Sequence, residues 1–151
     1  MNKKIILLRL YGFCFLLTLS LISCASSNKI SSTSNVITQK EPVAVGDIQY
    51  GVSSYYADKF HGRRTANGEI YDMYGISGAH QTLPLNSIVK VTNLENNKEL
   101  VMRINDRGPF IKNRIFDCSY GAAVKLSFIS QGTTIVKVEV IEIGDNLYKK
   151  E

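Results

Sequence analysis

Histidine and cysteine are scarce in this sequence, which has two His and three Cys among its 151 residues. The histidines, His61 and His80, lack the HxxxH spacing of a zinc-binding helix, and no GxSxG nucleophile elbow occurs. The sequence therefore predicts neither a metal site nor a Ser-His-Asp triad, and it indicates no cofactor. Cys118 is the one cysteine beyond residue 24, so no disulfide is predicted within the folded part, where this thiol is expected to be a small buried apolar group.

A strong excess of one charge and long apolar runs are also missing beyond the N-terminus. Residues 24–151 contain fifteen basic and thirteen acidic side chains, a net charge of +2, which argues against a nucleic-acid partner. No stretch in this part approaches the ~20 apolar residues of a membrane-spanning helix, which excludes a polytopic transporter. With 44% hydrophobic and 21% charged residues, the composition is that of a globular domain.

The N-terminus has the pattern of a secretory signal peptide. Three basic residues precede the apolar run Leu10–Ile22, which ends at Ser23 and Cys24. This order predicts a signal peptide over residues 1–23, with a permanent membrane helix as the alternative.

The residues before Cys24 resemble the lipobox of bacterial lipoproteins. Leu21 lies three positions before the cysteine, and the small Ser23 lies just before it. The resemblance implies that Cys24 is lipidated and that the acyl chains anchor the protein in a membrane; the alternative is an ordinary cysteine. Ala25 stands where an Asp signals inner-membrane retention in enteric bacteria, so the resemblance favours the periplasmic face of the outer membrane.

The remaining chain divides into a tether, one domain and a tail. Residues 24–47 are rich in Ser and Thr and have no periodicity, so they are predicted to be a flexible tether. Residues 48–143 form the predicted domain, and 144–151 a C-terminal tail. The domain has short β-branched segments with turn residues every ten positions or so, which indicates an all-β barrel or sandwich. Five strands are predicted: Gly51–Tyr56, Ile88–Thr92, Glu99–Ile104, Arg114–Cys118 and Thr133–Ile143.

Two local signals define a turn and a helix. Asn96 and Asn97 separate the second and third predicted strands and can adopt positive φ, which predicts a hairpin. Ser119 is a suitable N-cap for a helix through Ala122, Ala123 and Leu126.

Three polar clusters carry the candidate chemistry: the first is Phe60–Tyr71, the second Ser77–Pro84 and the third Ile104–Phe110. In the third cluster, Asp106 is a candidate general acid, but an Asp at a turn often only accepts a hydrogen bond from the next backbone amides. Arg107 also has a functional and a structural interpretation: it contacts a ligand, or it forms a surface ion pair.

These clusters resemble the rare lipoprotein A family, septal RlpA-like proteins whose double-psi β-barrel is related to barwin and expansins. The resemblance runs from Tyr50 to about Ile141. It is carried by the segments Phe60–Met73, Ala79–Pro84, Val91–Leu94 and Arg103–Phe110. It implies a mainly β fold, a six-stranded double-psi β-barrel with one or two short helices.

The resemblance also implies an activity, that of a lytic transglycosylase acting on peptide-poor peptidoglycan strands. Such an enzyme cleaves between N-acetylmuramic acid and N-acetylglucosamine and leaves a 1,6-anhydromuramic end. The alternative is an expansin-like lipoprotein that binds or loosens glycan without cleaving it, since one fold can host both functions. The partners implied are glycan strands, a membrane through Cys24, and cell-division or cell-wall proteins.

By the same resemblance, Asp106 is the acid and base, with Glu69 and His80 as the other catalytic positions. His80 is expected to hold Asp106 or the sugar, and Glu69 to keep Asp106 partly protonated through its like charge. Asp117 is the second candidate acid, because Phe116-Asp117 resembles the Phe-Asp pair of expansins.

Substrate contacts are assigned to Asp117, Asn105, Arg107 and Thr65, and sugar stacking to Tyr55, Tyr56 and Tyr71, although half-buried strand tyrosines are equally common. The sequence departs from the family at Ala57, Ser77-Gly78 and Cys118. No SPOR module follows the barrel in this sequence, so the resemblance gives no expectation of septal targeting.

Overall fold

The computed structural model describes residues 42–56 and 58–149. The predicted signal peptide, Cys24 and most of the predicted tether lie outside these residues. Within the described part, no helix has the length and apolarity needed to cross a membrane. The strands and helix are β1 Ile48–Tyr56, β2 Ser77–His80, β3 Ile88–Asn93, β4 Lys98–Asp106, β5 Arg114–Ser119, α1 Tyr120–Lys125 and β6 Thr133–Glu142, with a 3₁₀ turn at Asp58–Phe60.

The six strands close into a barrel in the order β1-β5-β2-β4-β3-β6. Two neighbouring pairs, β1 with β5 and β2 with β4, are parallel. The other four pairs are antiparallel. Closure pairs every strand on both sides, so the barrel has no open sheet edge. The predicted mainly β, six-stranded barrel is confirmed, and the described residues add a single helix and the 3₁₀ turn.

The five strands predicted from the sequence all form, and the hairpin between β3 and β4 turns as expected. Asn97 has a φ of 58°, the positive value that a short Asn side chain tolerates. Ser119 caps α1, accepting a hydrogen bond from the Ala122 amide at 3.2 Å. These elements depend on local interactions, which is why the sequence predicts them.

The sequence did not predict β2, because Ser77–His80 has small residues and no alternation. Gly78 faces the ring of Phe116, and a Cβ at residue 78 would clash with that ring. β2 forms because β4 and β5 supply hydrogen-bonding partners on its two sides. A tertiary environment therefore overrides weak local propensity.

The core lies inside the barrel and beneath α1. It consists mainly of fully buried aliphatic and aromatic side chains: Leu83, Val89, Val91, Ile104, Phe116, Leu126, Phe128, Val136, Val138 and Val140. Cys118 is a free, buried thiol. Burial raises its pKa, and the charge of Asp117 raises it further. A thiol held in its neutral form is a poor nucleophile.

Two phenylalanines test where the fold derives its stability. Phe116 is 0% exposed and Phe110 is 83% exposed. We expect Phe116→Ala to lower the free energy of unfolding by ~3–5 kcal/mol, and Phe110→Ala to change it by less than ~0.5 kcal/mol. Urea unfolding of the two variants and the parent measures both effects. Equal losses would contradict the assignment of the core.

Candidate active site

The three polar clusters meet around the end of β4. The Asn67 amide donates to the Asn105 carbonyl at 3.0 Å, which joins the first cluster to the third. The Arg107 guanidinium donates to the Leu83 carbonyl at 2.8 Å, which joins the third cluster to the second. Barrel closure thus gathers side chains that are far apart in the sequence.

Asp106 is the last residue of β4, and two backbone amides hold one oxygen of its carboxyl group. The amide of Ala66 donates to Oδ1 at 2.9 Å and that of Arg107 at 2.8 Å. The alternative role expected for Asp106, accepting a hydrogen bond from the next backbone amide, is therefore present. The contact with Ala66 adds a tertiary hydrogen bond from the first cluster. Within residues 42–56 and 58–149 no donor reaches Oδ2. This arrangement fixes the half-buried carboxyl group through one of its two oxygens.

The Glu69 carboxylate lies among cations. Arg103 donates to its two oxygens at 2.7 and 2.8 Å, Asn105 donates at 3.2 Å, and the Lys149 ammonium contacts Oε1. Partial burial acts to raise the pKa of Glu69, but the hydrogen bonds from Lys149, Arg103 and Asn105 outweigh it and lower the pKa to about 2. Glu69 is ionised at neutral pH, and two cations balance its charge.

His80 is buried, with 3% of its surface exposed. Its Nδ1 accepts from the backbone amides of Leu83 at 3.0 Å and Thr82 at 3.2 Å. The ring proton is therefore assigned to Nε2, which faces Gln49 Oε1 at 3.1 Å. The imidazole stabilises the turn whose Leu83 carbonyl binds the Arg107 guanidinium.

Asp117 lies on β5 and is 8% exposed. Arg114 donates to its Oδ2 at 2.8 Å, but Asp117 Oδ1 and Arg114 Nε are buried without a hydrogen-bond partner. Burial raises the pKa of Asp117 to about 6, although the charge of Arg114, the nearby backbone amide of Ser54 and the hydrogen bond from Arg114 act in the opposite direction. This carboxyl group therefore retains its proton to a higher pH than an ordinary Asp.

Strand β2 places the two candidate acids on either side of Ala79. Ala79 is opposite Asp106 on β4 and opposite Asp117 on β5, so the two acids are about 10 Å apart at their Cα atoms, twice the usual strand spacing. The buried Tyr56 hydroxyl has no hydrogen-bond partner. Burial raises its pKa, and Asp106 and Asp117 both add to that rise, so the hydroxyl lies within electrostatic reach of both acids.

Other residues predicted to bind substrate have structural contacts. The Thr65 hydroxyl donates to Asn67 Oδ1 at 2.7 Å inside a tight turn. Tyr71 is 2% exposed, and its hydroxyl donates to the Tyr56 carbonyl at 2.7 Å, so its burial does not fit the predicted sugar stacking. Tyr55 is half-buried and packs edge-on against Phe128 of the core. Of the three tyrosines, Tyr56 is the one near the acids.

The tail contributes contacts that sequence reasoning missed. Asn146 Oδ1 accepts from the Leu85 amide at 3.0 Å and from Arg107 at 3.1 Å. The Lys149 amide donates to the Asn67 carbonyl at 2.7 Å, in addition to its ammonium contact with Glu69. No local pattern in residues 144–149 signals these contacts, because their partners lie on distant segments.

Comparison with known proteins assigns the barrel to a family. The family described as lytic transglycolase matches residues 48–139. The chain belongs to this lytic transglycolase family. A relative from Campylobacter jejuni, named endolytic peptidoglycan transglycosylase RlpA, is 50% identical over 104 residues, which are 69% of this chain and 38% of the relative. The chain therefore spans about two fifths of that relative's length.

Solved structures share the barrel at low sequence identity. The Streptomyces papain inhibitor has a TM-score of 0.55 and 20% identity, over 67% of this chain and 100% of the inhibitor. The expansin of Clavibacter michiganensis has a TM-score of 0.51 and 13% identity, over 64% of this chain and 51% of the expansin. These likenesses show the fold alone, and the expected relation to the expansin barrel is confirmed.

Asp117 gives the stability of this protein a pH dependence. Its pKa is about 6 in the fold against an ordinary 3.8, so between these values the folded state binds the proton more tightly, and stability falls as pH rises. Asp117→Asn removes this titration and keeps an oxygen for Arg114. We expect the free energy of unfolding of the variant to vary less than that of the parent between pH 4 and 6, measured by urea unfolding.

Glu69 supplies the control, since its titration has the opposite sign. Its pKa is lowered from 4.5 to about 2, so its stabilising contribution is present above about pH 4.5 and is lost as pH falls towards 2. Glu69→Gln is expected to change the free energy of unfolding below about pH 4.5 and to leave its slope between pH 4.5 and 6 unchanged. Identical slopes in the parent and Asp117→Asn would show that the Asp117 pKa is not raised.

Proposed function

We propose that this protein is an endolytic lytic transglycosylase that cleaves peptide-poor peptidoglycan strands and leaves 1,6-anhydromuramic ends. Membership of the lytic transglycolase family and the name of the Campylobacter jejuni relative support this proposal. The observation that carries it is the Asp106 carboxyl group, which two amides fix through Oδ1 while Oδ2 receives no hydrogen bond from the described residues.

The proposed reaction needs one group that first donates and then accepts a proton. Protonated Asp106 donates from Oδ2 to the glycosidic oxygen, and the bond between that oxygen and C1 of N-acetylmuramic acid breaks. N-acetylglucosamine leaves with the new hydroxyl group. The Asp106 carboxylate then takes the proton of the C6 hydroxyl as O6 bonds to C1. The acid is regenerated and no water is consumed, so no second carboxylate is needed to activate water.

The surrounding residues position Asp106 in this proposal. The amides of Ala66 and Arg107 orient its carboxyl group, and His80 acts through the turn that binds the Arg107 side chain. The charge of Glu69 is balanced by Arg103 and Lys149, so its repulsion of Asp106 is weak. We assign Glu69 to holding Asn105, the residue before Asp106, in place of the like-charge role expected from the sequence.

The test compares two Asp→Asn variants on amidase-treated glycan strands, with mass spectrometry of anhydromuramic ends. We expect the full chain in detergent to release these ends, and Asp106→Asn to lower the rate by ~10²–10⁴-fold, the usual contribution of a general acid. Asp117→Asn is expected to lose less, because Asp117 neither donates nor accepts the transferred proton in this proposal.

Asp47→Asn is the matched control, since Asp47 is an exposed acid in the turn before β1, and its rate should equal that of the parent. Products from Asp106→Asn but none from Asp117→Asn would transfer the acid role to Asp117. A parent that binds glycan and releases no anhydro ends would refute the transglycosylase proposal.

We also propose that the chain is exported and anchored at the periplasmic face of the outer membrane through lipid on Cys24. Support comes from the N-terminal sequence: a basic start, an apolar run and the lipobox-like Leu21-Ile22-Ser23 before the cysteine. We expect Cys24→Ser to lose incorporation of labelled palmitate and to leave the outer-membrane fraction, whereas Cys14→Ser keeps both. Undiminished labelling of Cys24→Ser would rule out this anchor.

A further inference from the structure

The tail leaves β6 along a path set by a glycine. The Gly144 amide donates to the Ser87 hydroxyl at 2.9 Å, and a Cβ at residue 144 would clash with the backbone of Leu85 and Ser87. The absence of a side chain lets the two backbones approach this closely. The described part of the tail, residues 144–149, therefore starts against the turn between β2 and β3.

The order of the tail depends on polar contacts. Its large apolar side chains are exposed, Leu147 by 64% and Tyr148 by 55%. Fixing an exposed segment costs backbone entropy, and apolar burial offsets little of that cost here. The tail also lies beyond residues 48–139, the part of the chain matched to the family. Its role therefore has to be inferred from the groups that its hydrogen bonds hold.

Asn146 connects the tail to the third cluster. Its φ is 57°, a value that a short Asn side chain tolerates. Its Oδ1 accepts hydrogen bonds from the Leu85 amide at 3.0 Å and from the Arg107 guanidinium at 3.1 Å. The same guanidinium donates to the Leu83 carbonyl at 2.8 Å. Both terminal nitrogens of Arg107 are therefore held, one by the tail and one by the second cluster.

The backbone of Arg107 holds the candidate acid. Its amide donates to Asp106 Oδ1 at 2.8 Å, and the strength of this bond depends on the orientation of the peptide plane between the two residues. A guanidinium tied at two points restricts the main chain of Arg107, whereas a solvated guanidinium would leave the peptide plane less restricted. Asn146 is therefore two hydrogen bonds away from the carboxyl group of Asp106.

Lys149 connects the same tail to the first cluster. Its amide donates to the Asn67 carbonyl at 2.7 Å, and its ammonium contacts Glu69 Oε1. A Cβ at residue 68 would clash with the Lys149 carbonyl and the Tyr148 ring, so the tail passes directly over Gly68. The Glu69 carboxylate is therefore held by one cation from β4 and by one from the tail.

We propose that Asn146 and Lys149 are positioning residues of the active site. Asn146 acts on Asp106 through Arg107. Lys149 acts through Glu69, whose carboxylate binds the residue before Asp106. The inference rests on the proposed function for its reaction and adds the tail to the residues that align the acid.

The first test measures kcat and KM for release of anhydromuramic ends from amidase-treated glycan strands, with the full chain in detergent. Asn146→Gly removes the oxygen that accepts from Arg107 and tolerates the positive φ. We expect its kcat to fall about tenfold, the effect of losing a hydrogen bond to a charged group. Its KM should stay within about twofold of the parent, because alignment of the acid affects the transition state and not substrate binding. Asn146→Asp keeps the oxygen and is expected to restore kcat.

Hydrogen exchange of the Arg107 amide, followed by NMR, measures the same contact without turnover. This amide donates to Asp106, so we expect it to exchange about tenfold faster in Asn146→Gly and at the parent rate in Asn146→Asp. The amide of Val89 in the core is the internal control. An unchanged rate at Val89 shows that the effect is local and that the variant remains folded.

The Lys149 contact is tested through its charge. Lys149→Gln is expected to lower kcat about threefold at low salt and less at high salt, because the ammonium is exposed and salt screens its ion pair. Lys149→Arg keeps the cation and should match the parent. Lys125→Gln removes an exposed cation of α1, and Leu147→Ala truncates an exposed side chain of the tail. Both of these control variants should keep the kcat of the parent.

Several results would overturn the inference. An Asn146→Gly variant with the kcat of the parent, or with its Arg107 exchange rate, would show that the tail does not position the acid. Equal losses in Asn146→Asp and Asn146→Gly would show that the oxygen is not the group that matters. A raised KM with unchanged kcat would assign the tail to substrate binding. Equal kcat in Lys149→Gln and the parent at low salt would remove Lys149 from the proposal.

Failure of this inference is distinguishable from failure of the proposed function. If the parent releases anhydromuramic ends and Asn146→Gly keeps its kcat, the inference falls and the proposed function stands. If the parent releases no such ends, the transglycosylase proposal falls, and exchange of the Arg107 amide still tests the contact. Faster exchange in Asn146→Gly, reversed in Asn146→Asp, would then support the link from the tail to Asp106, and equal exchange would refute it.

Discussion

The ring of Phe116 packs against the backbone of β2, and this approach requires glycine at residue 78. A Cβ there would clash with the ring, and a core packed as densely as a crystal has no spare volume to absorb it. Because β2 can lie against the ring, it pairs with β4 and β5 together. Its next residue, Ala79, then sets Asp106 and Asp117 in register on either side. The geometry of the candidate site depends on this one contact.

Two carboxyl groups in this region have opposite surroundings, and their pKa values diverge accordingly. Glu69 is held by Arg103 and Lys149, and its pKa is about 2. Asp117 is more deeply buried and has one cation, Arg114, and its pKa is about 6. Environments that separate the pKa values of neighbouring acids divide their roles. In the proposed function the ionised Glu69 is a positioning group that holds Asn105, whereas Asp117 retains its proton to a higher pH.

The same barrel occurs in a papain inhibitor and in an expansin at 20% and 13% identity, so the fold does not determine the activity. The features that distinguish this chain from those two proteins lie in its loops and tail. The third cluster supplies both the fixed carboxyl group of Asp106 and the exposed ring of Phe110, and the tail holds Arg107 through Asn146. A small barrel with no open edge gives these segments a rigid base.

The sequence by itself determined the features that depend on neighbours in the chain. Alternating β-branched residues formed their strands, Asn97 took the positive φ of its turn, and Ser119 capped α1, because each is governed by contacts within a few residues. The motif resemblance identified Asp106 and the family, but it did not predict the residues that surround the candidate site. The tertiary structure decided that β2 is a strand, that Tyr71 is buried, and that Lys149 reaches Glu69 across 80 residues. Such contacts arise only when the barrel closes, because packing and desolvation act between segments whose separation in sequence carries no local signal.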